Sequence, residues 1–217
     1  MAPSLLLDLD GTLVDSVPDL AAALNRLMQA RRLAAFSHAE TAGMVGDGVA
    51  RLVERAFAAR GQVPDATAIA EYTADYGAHV AVQSAAYPGV AEGLRVLSDA
   101  GWRLGVCTNK PEAAARALLT ALGLAPYFAA VGGGDSFPVR KPDPRHLLAT
   151  LHAAGGVAER AVMAGDHAND IAAATGAGLP CIFAAWGYGP PAMADGAIAV
   201  AQDFAELVAV ARRLLAS

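Results

Sequence analysis

Residues 5–16 read LLLDLDGTLVDS. Leu5 to Leu9 is a short apolar run of strand type, and Asp10-Gly11 ends it. Residues i and i+2 of a strand face the same way, so Asp8 and Asp10 point into one space if strand geometry persists. Their Cα atoms then lie ~6.6 Å apart at a rise of ~3.3 Å per residue. At an effective dielectric of ~20, two such charges repel by ~2.5 kcal/mol. That is roughly two pKa units for one of them. A shared proton, a basic residue or a metal must compensate.

Outward from this strand the chain divides into two patterns. In SVPDLAAALNRLMQARRL (residues 16–33), Pro18 stands where helices start, and Leu20, Leu24, Leu27 and Met28 recur at helical spacing. GVARLVERAFAAR (48–60) and PDATAIAEYTADYGAHVAVQ (64–83) are also expected to be helical, so residues 16–85 read as all-helical. At YPGV (87–90) the pattern changes. Helix 90–100 precedes strand WRLGVC (102–107), helix PEAAARALLTALG (111–123) and strand YFAAVGGG (127–134). Helix PRHLLATLHAAG (144–155), strand RAVMAGD (160–166), helix NDIAAATGAG (169–178), strand LPCIFAA (179–185) and helix DFAELVAVARRLL (203–215) follow. Such alternation predicts an α/β fold with a parallel sheet covered on both faces. The first strand belongs to that sheet, so the helical segment is an insertion after it.

A second acidic strand end follows RAVMAG, with Asp166 and Asp170. Open parallel sheets bind ligands at the carboxyl ends of their strands, where these four carboxylates can converge. An all-oxygen, cysteine-free donor set selects a hard cation, most plausibly Mg²⁺, which also bridges substrate phosphates. An EF-hand is excluded, because Thr12 and Leu13 break its loop. Two more segments fit an anionic ligand. In VCTNKP (106–111), Thr108 and Asn109 end a strand beside a helix start. In VRKPDP (139–144), a rigid loop fixes Lys141, which can meet a phosphoryl oxygen.

With 217 residues and a formal charge of −5, the chain is long enough for a sizeable core and carries no nucleic-acid footprint. Cys107 and Cys181 lie in apolar contexts without zinc spacing, as expected of buried reduced thiols in a cytoplasmic protein. Residues 1–7 lack the basic start of a signal peptide, and Ile171 to Ala194 is too interrupted by glycine and proline for a membrane span.

DLDGTLVDS, CTNK, KPDP and GDHAND, in this order, resemble the four motifs of the haloacid dehalogenase superfamily. VGDGVARLVERAF (45–57), YPGV and WGYG (186–189) resemble its phosphoglycolate phosphatase branch. The resemblance covers nearly the full length; His167 stands where serine is common, with little catalytic effect expected. It implies a Rossmann-like core domain of residues 1–15 and 86–217 and a helical C1 cap domain of residues 16–85. It implies an Mg²⁺-dependent phosphatase acting on a small phosphorylated metabolite, 2-phosphoglycolate as the best single candidate, with no nucleic-acid or membrane partner. Asp8 would be the nucleophile and Asp10 the acid and base. Thr108, Asn109 and Lys141 would hold the phosphoryl group. Asp8, the Asp10 carbonyl and Asp166 would ligate Mg²⁺, with Asp170 holding the metal's surroundings or Lys141. In the cap, two glycines flank Asp47 in a loop that enters a helix with Arg51 in its first turn, so Gly46, Asp47, Gly48 and Arg51 are expected to govern substrate choice, with the helix start and Arg51 meeting a substrate carboxylate. A phosphosugar mutase, a phosphatase for sugar phosphates, N-acetylmuramic acid 6-phosphate or pyrophosphate, and a silent binding module are the competing readings.

Overall fold

A computed structural model describes residues 2–216. Its strands are β1 (Ser4–Leu7), β2 (Val14–Asp15), β3 (Ala85–Ala86), β4 (Arg103–Cys107), β5 (Ala130–Gly132), β6 (Ala161–Gly165), β7 (Cys181–Ala184) and β8 (Ala199–Ala201). Its α-helices are α1 (Val17–Ala30), α2 (His38–Ala42), α3 (Val49–Ala59), α4 (Ala68–Ala78), α5 (Val90–Asp99), α6 (Glu112–Ala121), α7 (Pro144–Ala153), α8 (Ala168–Gly176) and α9 (Phe204–Leu214). Six strands form one sheet in the order β5-β4-β1-β6-β7-β8, and every neighbouring pair in it is parallel. The expected α/β fold is therefore present.

The leucine run explains why β1 sits at the centre. Leu5, Leu6 and Leu7 are all fully buried, which only a strand covered on both faces permits. Leu5 and Leu7 face a layer with Leu94 and Leu97 of α5, Leu118 and Leu119 of α6, and Phe204 and Leu207 of α9. Leu6 faces the opposite layer, with Leu147 and Leu151 of α7 and Ile171 of α8. Cys107 and Cys181 are free and buried, as their apolar contexts suggested.

Helices α1 to α4 lie between β2 and β3 and enclose a cluster of their own. Leu24, Leu27 and Met28 of α1 pack with Leu52, Val53 and Phe57 of α3 and with Tyr72 and Tyr76 of α4. Where the chain leaves and rejoins the sheet region, β2 pairs antiparallel with β3. No helix among the described residues is long and apolar enough to cross a membrane.

Several details depart from the sequence reading, the short β2–β3 pair among them. Strand β8 was not expected, because its sequence AVA lacks the bulky β-branched signal. Helix α2 was also missed, although Ser37 and Glu40 form a capping box there. Helix α4 stops at Ala78, short of the expected residue 83. A buried carboxylate accounts for that. Asp19 of α1 accepts hydrogen bonds from the backbone N–H groups of Val82, Gln83 and Ser84 and from the Ser84 hydroxyl. Those amides are thus taken out of any continuing helix, and the outgoing and returning chains are clamped together.

Burial alone would raise the Asp19 pKa, but the hydrogen bonds from Ser84, Gln83 and Val82 outweigh it and hold it below the ordinary 3.8. The depressed value makes its contribution fully present above pH 3.8 and lost as pH falls through the folded-state pKa. Asp19→Asn should cost ~1.5–3 kcal/mol by urea unfolding at pH 7. The gap to the parent protein should narrow as the pH drops below 3.8. A gap smaller than about 0.5 kcal/mol at pH 7 would show that the clamp contributes no more than an ordinary surface contact.

Candidate active site

The chain runs from β1 through the helices to β4 and β5 on one side, then fills the other side with β6, β7 and β8. The carboxyl ends of β1 and β6 are therefore the crevice where an open parallel sheet binds its ligand. Asp8 follows β1 directly, its N–H donating to the Ala164 carbonyl at 2.9 Å, and Asp166 follows β6. The turn after Asp10 uses Gly11 at φ +87°, where a Cβ would lie 2.3 Å from Asp166 Oδ2. Only glycine lets the two strand ends approach this closely.

Four carboxylates converge here, and each has its own partners. Asp8 Oδ1 lies 2.9 Å from Lys141 Nζ and accepts the Leu9 N–H at 2.7 Å. The same lysine donates to Asp170 Oδ1 at 2.6 Å, and the second Asp170 oxygen accepts the His167 N–H. Asp166 accepts from the Thr12 hydroxyl at 2.9 Å and from the Tyr188 N–H at 2.8 Å. Asp10 has partners of its own. Its carboxylate accepts from the Ser16 hydroxyl at 2.5 Å and from Lys110 Nζ at 2.9 and 3.1 Å. Asp8 and Asp10 line one cleft, as the sequence suggested, and a different lysine neutralises each.

Both lysines are buried, which on its own would lower their pKa values. Lys141 is nevertheless raised by Asp170 and Asp8, and Lys110 by Asp10, so both carry their charge at neutral pH. Asp166 has no lysine. Burial, and then the charge of Asp8, push it up to about 7, against hydrogen bonds from Tyr188, Thr12 and Gly189.

One oxygen each of Asp8, Asp166 and Asp170 lie within 4.8 Å of one another. Such a donor set suits a hard cation, and a cation would supply the positive charge that Asp166 otherwise draws from a proton. Both Asp170 oxygens are engaged, one by Lys141 and one by the His167 N–H, whereas Asp8 is held through Oδ1 alone and Asp166 by uncharged donors alone.

A cleft of about 40 Å³ opens beside this cluster. The sheet side supplies Asp8, Asp10, Thr108, Asn109 and Lys110; the helical side supplies Leu20, Val45, Gly46, Gly48, Val49, Leu52, Tyr72 and Tyr76. Thr108 is in place, its hydroxyl accepting the Lys110 N–H at 3.2 Å. Asn109 is at the cleft in a different capacity from the expected one. Its amide nitrogen donates to the Gly46 and Lys141 carbonyls, so it positions the 44–48 loop and the lysine rather than presenting that nitrogen to a ligand.

Gly46 and Gly48 line the cleft, but Asp47 and Arg51 do not. Asp47 pairs with Arg55 and accepts from Asn169 Nδ2 at 2.6 Å. Arg51 is 63% exposed, binds Glu54 one turn along α3, and lines a separate shallow depression with Asp47, Glu54, Arg55 and Ala58. The structure therefore does not bring Arg51 to the cleft. Helix α3 turns Leu52, Val53, Ala56 and Phe57 inward, and the position before Leu52 falls outside that stripe. His167 caps α8, its ring nitrogen accepting the Asn169 N–H. Burial keeps that ring below its ordinary pKa and hence neutral at pH 7.

The sequence reading missed Lys110 and Tyr76. Lys110 stands beside Thr108 and Asn109 in CTNK, so its position was visible but its partner was not. Tyr76 carried only the signal of an apolar position on α4.

Comparison with known proteins agrees with the fold. The family profile of the haloacid dehalogenase-like hydrolases matches residues 4–178. A Rhodospirillum rubrum protein named phosphoglycolate phosphatase is 44% identical over 216 residues, covering 95% of this chain and 90% of that one. A phosphoglycolate phosphatase of Agrobacterium fabrum is 43% identical over 192 residues, covering 87% and 82%. Among solved structures, a predicted phosphoglycolate phosphatase from Haemophilus somnus superposes with a TM-score of 0.89 at 30% identity, covering 96% and 97% of the two chains. CbbY from Rhodobacter sphaeroides, in complex with phosphate, superposes at 0.80 with 28% identity, covering 95% and 96%.

The shared lysine generates a stability prediction. Lys141→Met leaves Asp8 and Asp170 buried without their cation. In chelator at pH 7, that variant should lose roughly 3–5 kcal/mol by urea unfolding. A loss of less than about 1 kcal/mol would mean that the pair behaves as a solvated surface bridge.

Proposed function

The chain belongs to the haloacid dehalogenase-like hydrolase family, and on that footing we propose that it is a phosphatase that splits a small phosphomonoester through an aspartyl-phosphate on Asp8. The observation that carries the reading is the division between Asp8 and Asp10. Both line the cleft, but Asp8 stands against Lys141 among the acids of the strand ends, whereas Asp10 is held by Ser16 and Lys110. This difference supports a reading in which Asp8 attacks phosphorus and Asp10 exchanges a proton with the leaving oxygen.

In the first step an Asp8 oxygen forms a bond to phosphorus as the ester P–O bond breaks, and Asp10, which enters this step carrying the proton it gains from water in the second, delivers that proton to the departing alkoxide. In the second, Asp10 takes a proton from water as that water attacks the phosphorus of the aspartyl-phosphate. Asp8 is regenerated and inorganic phosphate leaves. Lys141 keeps Asp8 oriented and offsets charge on the phosphoryl group, and Thr108 borders the space that group occupies. Asp8, the Asp10 backbone carbonyl and Asp166 would hold Mg²⁺, with Asp170 bracing Lys141. The chemistry the ion supplies there is neutralisation of the phosphoryl oxygens. Residues 16–85 act as a cap domain over a core of residues 1–15 and 86–217, excluding water when closed.

2-Phosphoglycolate is the substrate we favour. Relatives bearing that name align over most of the chain, and the cleft is small and closed on its helical side by Leu20, Val49 and Leu52. A sugar bisphosphate is the second reading, because CbbY has also been crystallised with xylulose-(1,5)bisphosphate.

Asp8→Asn should abolish phosphate release from 2-phosphoglycolate while the protein unfolds with an intact cooperative transition. Retention of more than about a tenth of the parent kcat would rule Asp8 out as nucleophile. Removing metal with chelator should stop turnover and added Mg²⁺ should restore it. Asp166→Ala should raise the Mg²⁺ concentration needed for half-maximal rate by roughly ten- to a hundredfold. Undiminished turnover after metal removal would exclude a metal-dependent reaction.

A further inference from the structure

The cleft presents one feature that holding Asp10 does not exhaust. Lys110 is the one cationic side chain among the described residues lining it, and it is buried at the junction of the two halves. Its ammonium touches Asp10 on the sheet side and lies 4.4 Å from the centre of the Tyr76 ring, which comes from α4 on the helical side. The Tyr76 hydroxyl is buried and makes no hydrogen bond of ordinary length among the described residues; the Lys110 ammonium is a polar neighbour of it. Tyr76 itself is only 3% exposed and lines the same cleft. An unpartnered buried hydroxyl is costly unless a ligand satisfies it.

We propose that Lys110 and Tyr76 form a subsite for a second anionic group on the substrate, selecting a phosphoester whose alcohol carries a carboxylate next to the ester carbon. The proposal rests on the phosphatase reading and deepens it. Distance within the substrate supports it. In 2-phosphoglycolate the carboxylate carbon is two bonds from the ester oxygen that Asp10 protonates. A cation held 2.9 Å from Asp10 is therefore the charge such a carboxylate meets first. An ammonium has three donors, so it can bind Asp10 and a ligand together. Tyr76 adds a neutral donor that Asp10 does not use. The rest of the helical side, with Leu20, Val49, Leu52 and Tyr72, offers an anion no other charged partner. Arg51, the expected candidate for this task, is on the outer surface.

The test compares 2-phosphoglycolate with ethyl phosphate, which has the same ester and no carboxylate, in saturating Mg²⁺. The parent enzyme should prefer 2-phosphoglycolate. Lys110→Met should lower kcat/KM for both substrates, because Asp10 loses its neighbour. The loss for 2-phosphoglycolate should be roughly ten- to a hundredfold greater, expressed largely in KM. Tyr76→Phe removes only the hydroxyl and keeps the ring over Lys110, and it should narrow the preference by roughly threefold to tenfold. If Lys110→Met does not fold, Tyr76→Phe carries the test alone. Parallel losses for the two substrates, in either variant, would reduce the pair to a support for Asp10 and overturn the proposal. A parent enzyme that hydrolyses ethyl phosphate as well as 2-phosphoglycolate would overturn it too, while leaving the phosphatase reading standing. A parent enzyme that hydrolyses no phosphomonoester would instead overturn the phosphatase reading.

Discussion

Four carboxylates brought together in a largely buried space need positive charge, and the chain provides only part of it. Lys141 serves Asp8 and Asp170 together, and Lys110 serves Asp10. Asp166 receives only hydrogen bonds and is pushed towards protonation at neutral pH. The cluster is thus short of charge on the side where β1 and β6 end. That shortfall gives the site its character: a hard cation would relieve it, and a phosphoryl group bound against that cation would complete it.

The fold makes this concentration possible. Placing β1 at the centre, buried on both faces, puts Asp8 at the switch point rather than at a sheet edge. Gly11 removes the Cβ that would otherwise collide with Asp166. The 186–189 loop then closes over Asp166 from the far side of β7. Its Tyr188 N–H binds Asp166, and its hydroxyl accepts from the Ser16 and Val17 N–H groups at the start of α1. The metal-side acid and the base of the helical unit therefore share one residue. The Asp19 clamp holds the other connection to that unit. Both chain crossings are thus held by specific polar contacts.

Much of this was legible in the sequence, and the boundary of legibility has physical causes. The strand ends were readable because a leucine run followed by D-x-D-G leaves few alternatives, and the alternation after residue 87 implied a parallel sheet. Lys141 and Asp170 were readable as participants, and the resemblance offered Lys141 as one of two partners for Asp170. Lys110 was hidden because its meaning depends on Asp10, distant in sequence, and on a tyrosine from another helix. Arg51 misled because a glycine-flanked acid before a helix suggested an anion site. The rotation of α3, fixed by packing of Leu52, Val53 and Phe57, decided otherwise. Strand β8 and helix α2 were lost for a different reason: both are short, and tertiary pairing or capping, not periodicity, creates them.

The central claim is that the two acids of the first strand end differ in kind, Asp8 as nucleophile and Asp10 as proton carrier. Acyl phosphates are reduced by borohydride, whereas free carboxylates are not. The most direct measurement is to quench the enzyme during turnover of 2-phosphoglycolate, reduce with borohydride and sequence the 5–16 segment by mass spectrometry. The account predicts homoserine at position 8, aspartate unchanged at position 10, and no conversion without substrate. Conversion at position 10, or product formation with no conversion at either position in the presteady state, would contradict it.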